Sequence, residues 1–164
     1  MILEMDVKDI KYQDGLNYFV SSVNLEEIKV KIDAYTRELD ILESKKFKLD
    51  MDKFSEQMMI FQSITERCSS IFWDLRNIKR RYETIFDKVV FLRIREEDIQ
   101  IAKLTQPEKK HMAELDLLKY IEVLNNLDST IDRVAMFKES YKQKHDTLSR
   151  VFSYLQYKTQ LKEV

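Results

Sequence analysis

Residues 105–160 read TQPEKKHMAELDLLKYIEVLNNLDSTIDRVAMFKESYKQKHDTLSRVFSYLQYKTQ, and their spacing decides the fold. Ala113, Leu117, Tyr120, Leu124, Leu127, Ile131, Val134, Lys138, Tyr141, His145, Leu148, Phe152 and Leu155 recur every three or four residues, the heptad spacing of a coiled-coil seam on an α-helix. The stretch opens with a helix start. Thr105 can cap, Pro107 stands in the first turn where its missing N–H costs nothing, and Glu108 follows the cap by three residues. A helix over 106–162 would be about 85 Å long at 1.5 Å per residue, and it cannot cover its own seam.

The nearest partner lies just before it. Phe54, Met58, Phe61, Thr65, Cys68, Phe72, Leu75, Lys79, Tyr82, Phe86 and Val89 form a second seam, which fades in the polar stretch Arg93 to Asp98. A short connection between two such helices makes them antiparallel neighbours, and the spacing predicts a hairpin that turns within 99–107. Further back, Asn24 followed by Glu27 reads as another cap, and Leu25, Ile28, Ile32, Tyr35, Leu39 and Leu42 begin a third seam. Ser44-Lys45-Lys46 and Asp50-Met51-Asp52 interrupt it, so 25–104 is either one irregular helix or two with a break at 43–53. Before Asn24, Asp14-Gly15 is a turn signal. Leu16, Tyr18 and Val20 alternate as in a strand, while Leu16, Phe19, Val20 and Val23 fit a helix; the segment 1–24 is read as a short helix or arm.

Composition agrees. The chain has one Gly and one Pro, where an average chain of this length carries roughly 11 and 8. Sharp turns draw on those residues, so a sheet-rich fold is excluded. The expected class is all-α: an elongated antiparallel helical hairpin or coiled coil with an additional N-terminal helix, more than about 75% helical. Its parts are an arm or short helix over 1–24, a helical region over 25–104, and a long helix over 105–164 that packs back on the preceding one. Apolar residues also lie off the seams: Ile71, Trp73, Ile78, Ile85, Val90 and Leu92 on one arm, and Val123, Phe137, Val151, Tyr154 and Tyr157 on the other. The 25–50 helix must cover some of these, and self-association is expected to cover others, with the C-terminal helix in the interface.

Most chemistries find no residues here. One glycine cannot build a phosphate-binding loop. His111 and His145 stand 34 residues apart on the same helix, roughly 50 Å if it is straight, too far to share a metal. His145 and Cys68 both fall on seams, where a register-setting polar residue and a small buried hydrophobe are the plain readings. Glu96-Glu97-Asp98 is the densest acidic group and joins Arg93 and Arg95 in a mixed-charge surface. No enzyme activity, cofactor, metal or small-molecule substrate is expected. Apolar runs reach only a few residues, as at Val89 to Leu92, against the roughly 20 that span a membrane. Met1 to Asp9 holds three acids and lacks the pattern of a signal peptide. With a single cysteine, the expected setting is a reducing cytoplasm.

One segment points to a ligand. Net charge is −1 overall, but residues 67–104 hold 9 bases and 6 acids, whereas residues 1–66 hold 9 bases and 14 acids. Within the basic stretch, Arg76, Lys79, Arg80 and Arg81 occur with no acid between Asp74 and Glu83, bracketed by Trp73 and Tyr82. Bases that meet phosphates, beside rings that stack on nucleobases, are what single-strand binding requires. The rival reading pairs these arginines with acids on a neighbouring helix.

The layout from residue 67 onward resembles that of the small recombination-mediator proteins of bacteriophages. They share a helix with a basic, aromatic-containing segment (here Arg76 to Tyr82), a polar connection (Arg93-Ile94-Arg95-Glu96-Glu97), and a long amphipathic helix restarting at Thr105-Gln106-Pro107-Glu108. The resemblance implies a non-enzymatic oligomer in the cytoplasm of a phage's host. Such a protein binds single-stranded DNA and helps load a recombinase onto strands covered by a single-strand-binding protein. Arg76, Lys79, Arg80 and Arg81 would then contact phosphates, with Tyr82 and Trp73 for stacking. The alternative is a helical protein-binding module, such as an export chaperone, a phage regulator or an inhibitor of a host protein. Met58-Met59-Ile60-Phe61 and Phe152 to Tyr157 would be its recognition surfaces.

Overall fold

The structure, a computed structural model, describes residues 10–47 and 50–160; the acidic segment Met1 to Asp9 lies outside them. Of the described residues 89% are helical and none is in a strand. The described helices are α1 (Tyr12–Ser22), α2 (Leu25–Ser44), α3 (Phe54–Ile94), α4 (Glu97–Ile101), α5 (Gln106–Leu115) and α6 (Leu118–Gln160), with a 3-10 turn at Met51–Lys53 before α3.

The starts follow the sequence. Asn24 Oδ1 accepts from the backbone N–H of Glu27 at 3.2 Å, which satisfies one of the donors a helix start leaves open. At α5 the Glu108 carboxylate accepts from both the backbone N–H and the hydroxyl of Thr105, each at 2.7 Å. Those bonds hold the Glu108 carboxyl below its ordinary pKa.

Two expectations within the helices are corrected. The first concerns Asp14-Gly15, which forms no turn: Gly15 sits inside α1, buried. Its absent side chain is what admits the Leu92 side chain of α3, which would collide with a Cβ. The second concerns the helix expected over 106–162, which is broken at Asp116–Leu117. Asp116 Oδ2 accepts from Arg93 Nε at 2.7 Å. The Leu117 and Tyr120 N–H groups bond three residues back, to Glu114 and Leu117, at 2.9 and 2.8 Å. A tightened turn of this kind interrupts the α ladder while leaving Leu117 in the core at 1% exposure.

The chain divides into two compact units, one formed by the residues up to Ala34 with Arg76–Ser129, the other by Tyr35–Leu75 with the residues from Thr130. In the first unit α6 runs antiparallel to α3, as Lys79 pairs with Asp128 and Arg93 with Asp116. The reversal begins at Arg95, earlier than the 99–107 interval, and holds the short helix α4 before α5 starts. The fully buried Phe19 of α1 has its ring 5.1 Å from Tyr82, 6.2 Å from Phe86 and 5.0 Å from Tyr120. Burying one such ring is worth about 1.5–3 kcal/mol, so α1 belongs to this core and is not a loose arm.

In the second unit α2, α3 and α6 pack together. The Tyr35 hydroxyl donates to Asp74 at 2.7 Å, Arg67 grips Glu38 with two bonds of 2.7 and 2.9 Å, and Phe61 and Tyr141 approach within 5.8 Å. Cys68 is wholly buried, and burial pushes its thiol up.

Candidate nucleic-acid interface

The helical repeat of α3 sorts the basic segment into two faces. Leu75, Tyr82, Ile85, Phe86 and Val89 turn inward and are buried. Arg76, Asn77, Arg80, Arg81 and Thr84 turn outward and are exposed.

This sorting changes the roles of three of the six residues singled out in sequence. Tyr82 is 1% exposed, its ring held by Phe19 and Phe86, and its hydroxyl donates to the Tyr120 carbonyl at 2.8 Å. It is a core residue, closed to a nucleobase. Burial pushes its pKa well above the usual tyrosine value. Lys79 is half-buried, with its ammonium 2.5 Å from Asp128 and 3.3 Å from Glu83. The hydrogen bond to Asp128 raises its pKa, and its charge is already answered within the unit. Trp73 is 58% exposed and stands edge-on to Phe72 at 5.7 Å, but it belongs to the second unit. The other five candidates belong to the first unit.

Arg76, Arg80 and Arg81 remain on the surface. Arg81 Nη2 donates to the Ser22 carbonyl at 3.3 Å, where the last turn of α1 presents open acceptors and the negative end of its dipole. Arg81 thereby ties α1 to α3 and fixes its own position while staying exposed. Between the two helices lies a groove of about 300 Å3 lined by Tyr18, Asn77, Arg80, Arg81, Thr84 and Ile85. It holds two guanidinium groups, an amide, a hydroxyl and a phenol ring over an apolar floor, with no carboxylate. Thr84 Oγ1 donates to the Arg80 carbonyl at 2.8 Å, leaving its lone pairs to accept.

On the other side of Arg81 a second groove, about 220 Å3, is lined by Asn24, Lys31, Ile78 and Arg81 among others, and Glu27 is its one acid. Arg81 is therefore common to two neighbouring grooves.

No protein-family model, no curated protein and no solved structure matches this chain.

Tyr18 lines this groove and was not among the candidates that the sequence singled out. With α1 a helix and Phe19 in the core, Tyr18 falls about 100° away, at the edge of the buried face and over the groove. Choosing the helical pattern of Leu16, Phe19, Val20 and Val23 over the alternating one would have placed it there. Among the described residues no group of histidine, cysteine or carboxylate side chains is arranged to hold a metal ion, and no helix is long and apolar enough to cross a membrane.

Proposed function

We propose that this chain is a non-enzymatic accessory protein that binds single-stranded DNA along the α1–α3 face of its first unit. Arg76, Arg80 and Arg81 meet phosphates there, and Tyr18 stacks on a base. The observation that carries this reading is the carboxylate-free groove that places two guanidinium groups beside a half-exposed ring. Stacking on a tyrosine needs an unpaired base, and a narrow cleft between two helices admits a single strand more readily than a duplex. The reading accords with the resemblance to phage recombination mediators, whose oligomers work in a host cytoplasm. A protein of net charge −1 has no long-range pull on a polyanion, so its affinity must come from this local face and weaken with salt.

The test is fluorescence anisotropy of a labelled oligothymidylate against the full chain at low salt. Binding that fades as salt rises supports the proposal, and no binding at low salt overturns it. A second reading, a protein-binding module, is favoured by one observation. Val151, Phe152, Tyr154, Leu155 and Tyr157 are all exposed on the last turns of α6. The two readings are compatible, since a mediator engages both a strand and proteins.

A further inference from the structure

In the second unit, α6 has two neighbours over most of its length. Arg133 Nη2 lies 2.6 Å from Asp40 and 2.7 Å from Glu43 of α2, and the Tyr141 hydroxyl donates to the Leu42 carbonyl at 3.2 Å. On its other side Tyr141 meets Phe61 of α3. Then α2 ends at Ser44, and Phe47 closes over Phe61 and Tyr141 at 5.3 and 6.0 Å. Beyond that layer, the start of α3 and the end of α6 have each other, through the stacked rings of Phe54 and Phe152 at 4.8 Å.

The consequence is visible in burial. Leu148 is the last buried residue of α6, and every residue from Val151 to Gln160 is exposed. Five of those ten are large and apolar, with Tyr154 at 63% and Tyr157 at 61%. At 100° per residue they spread over about 220° of the helix circumference, roughly twice the stripe that one neighbouring helix covers. Beside the α3–α6 pair runs a groove of about 940 Å3, floored by Phe54, Met59, Phe152 and Leu155. Among the described residues no third helix stands at the level where α2 has stopped.

Charge indicates what fills it. The α3 side carries Asp50, Asp52 and Glu56 against Lys53, while 150–160 of α6 carries Arg150 and Lys158 with no acid. The two sides are opposite in sign. An acidic lip repels nucleic acid and attracts a basic apolar helix, and this chain's own 151–160 segment is such a helix.

We infer that a second copy of this chain docks here. Residues 151–160 of each copy enter the groove of the other, so that Lys158 of one meets Glu56 of its mate. The contact is reciprocal, hence two-fold and closed, and it sets two α3 starts and two α6 ends together as a four-helix layer. It does not depend on nucleic-acid binding.

Sedimentation velocity of the full chain, without nucleic acid, tests this. The wild type is expected to be a dimer at tens of micromolar. Leu155→Glu, on a surface already open to solvent, is expected to be monomeric with unchanged helicity. Glu56→Lys and Lys158→Glu should each dimerise about tenfold more weakly, because each sets like charges together across the interface. Mixed in equal amounts they should recover a heterodimer, since both contacts between them are then attractive. A wild-type monomer at about 100 µM, a Leu155→Glu dimer as tight as wild type, an open-ended assembly, or a mixture no tighter than its components would each overturn the inference.

Discussion

Tyr82→Phe separates the core from the interface. The substitution keeps the ring that Phe19 and Phe86 enclose and deletes one hydroxyl. The bond lost is the 2.8 Å one to the Tyr120 carbonyl. That carbonyl lies inside α6 and also accepts from its own helix ladder, so the deletion orphans no buried acceptor. The cost is that of one ordinary hydrogen bond, about 1 kcal/mol. With a urea dependence of about 2 kcal/mol per molar, the midpoint of unfolding followed by circular dichroism should fall by about 0.5 M. Tyr82→Ala removes the ring itself, a loss of about 3–5 kcal/mol and a fall of about 2 M. Those losses are large against the roughly 5–15 kcal/mol that holds a domain together. Oligonucleotide affinity of Tyr82→Phe should equal that of wild type. Tyr18→Ala should do the reverse. It costs less stability than Tyr82→Ala, because the ring is only half-buried, and it weakens binding by about 1–3 kcal/mol, the worth of a stacked base. If Tyr82→Phe kept its urea midpoint and lost affinity, the assignment of Tyr82 to the core and Tyr18 to the groove would be refuted.

Alkali should unfold the protein. Tyr35 is pushed up to about 12, and burial raises Tyr12, Tyr82 and Tyr141 as well. Above about pH 10 the unfolded chain releases these protons while the folded chain keeps them, so stability is intact below pH 10 and falls by about 1.4 kcal/mol per pH unit for each tyrosine held neutral; a thermal midpoint that does not fall between pH 10 and 11 would contradict this. Acid acts through Glu38, whose bonds to Arg67 hold its carboxyl below the usual range. Its contribution is present above about pH 4.3 and is lost as pH falls through the lowered value, so Glu38→Gln should narrow the gap in melting temperature between pH 7 and pH 3. Gly15→Ala gains about 1 kcal/mol of helix propensity, but its Cβ meets the buried Leu92 side chain, and overpacking costs about 1–3 kcal/mol. The variant should be less stable in urea, whereas an exposed helical glycine would give a more stable one.

Much of the fold was legible because caps and heptads are local. Asn24 with Glu27 and Thr105 with Glu108 form the bonds their spacing announces, and seam residues such as Leu39, Phe61, Leu75, Leu127 and Leu148 are buried. What escaped depended on distant partners. Gly15 looks like a turn until Leu92 arrives from α3, and Asp116 looks like one more helical surface residue until Arg93 draws it aside. Ile71, Ile85, Val90 and Leu92 sit off the seam yet are buried, because α3 packs on more than one side. Phe152 and Leu155 sit on the seam yet are 41% and 40% exposed, because α2 has already ended. The candidate interface was legible in composition and not in geometry. The run Arg76 to Tyr82 pointed to α3 as a candidate, but a sequence cannot say that Lys79 faces Asp128, that Tyr82 points inward, or that a tyrosine on α1 lines the groove beside them.

The most direct test of the proposed function is the salt dependence of oligonucleotide binding for the wild type and for Arg76→Ala/Arg80→Ala/Arg81→Ala. Each neutralised phosphate on a single strand adds about 0.7 to the slope of log affinity against log salt, so three arginines account for a slope of about 2. The triple variant is expected to keep its helicity, lose affinity for every oligonucleotide sequence and show a slope smaller by about 2. A triple variant that binds as tightly as wild type, with the same slope, would contradict the account.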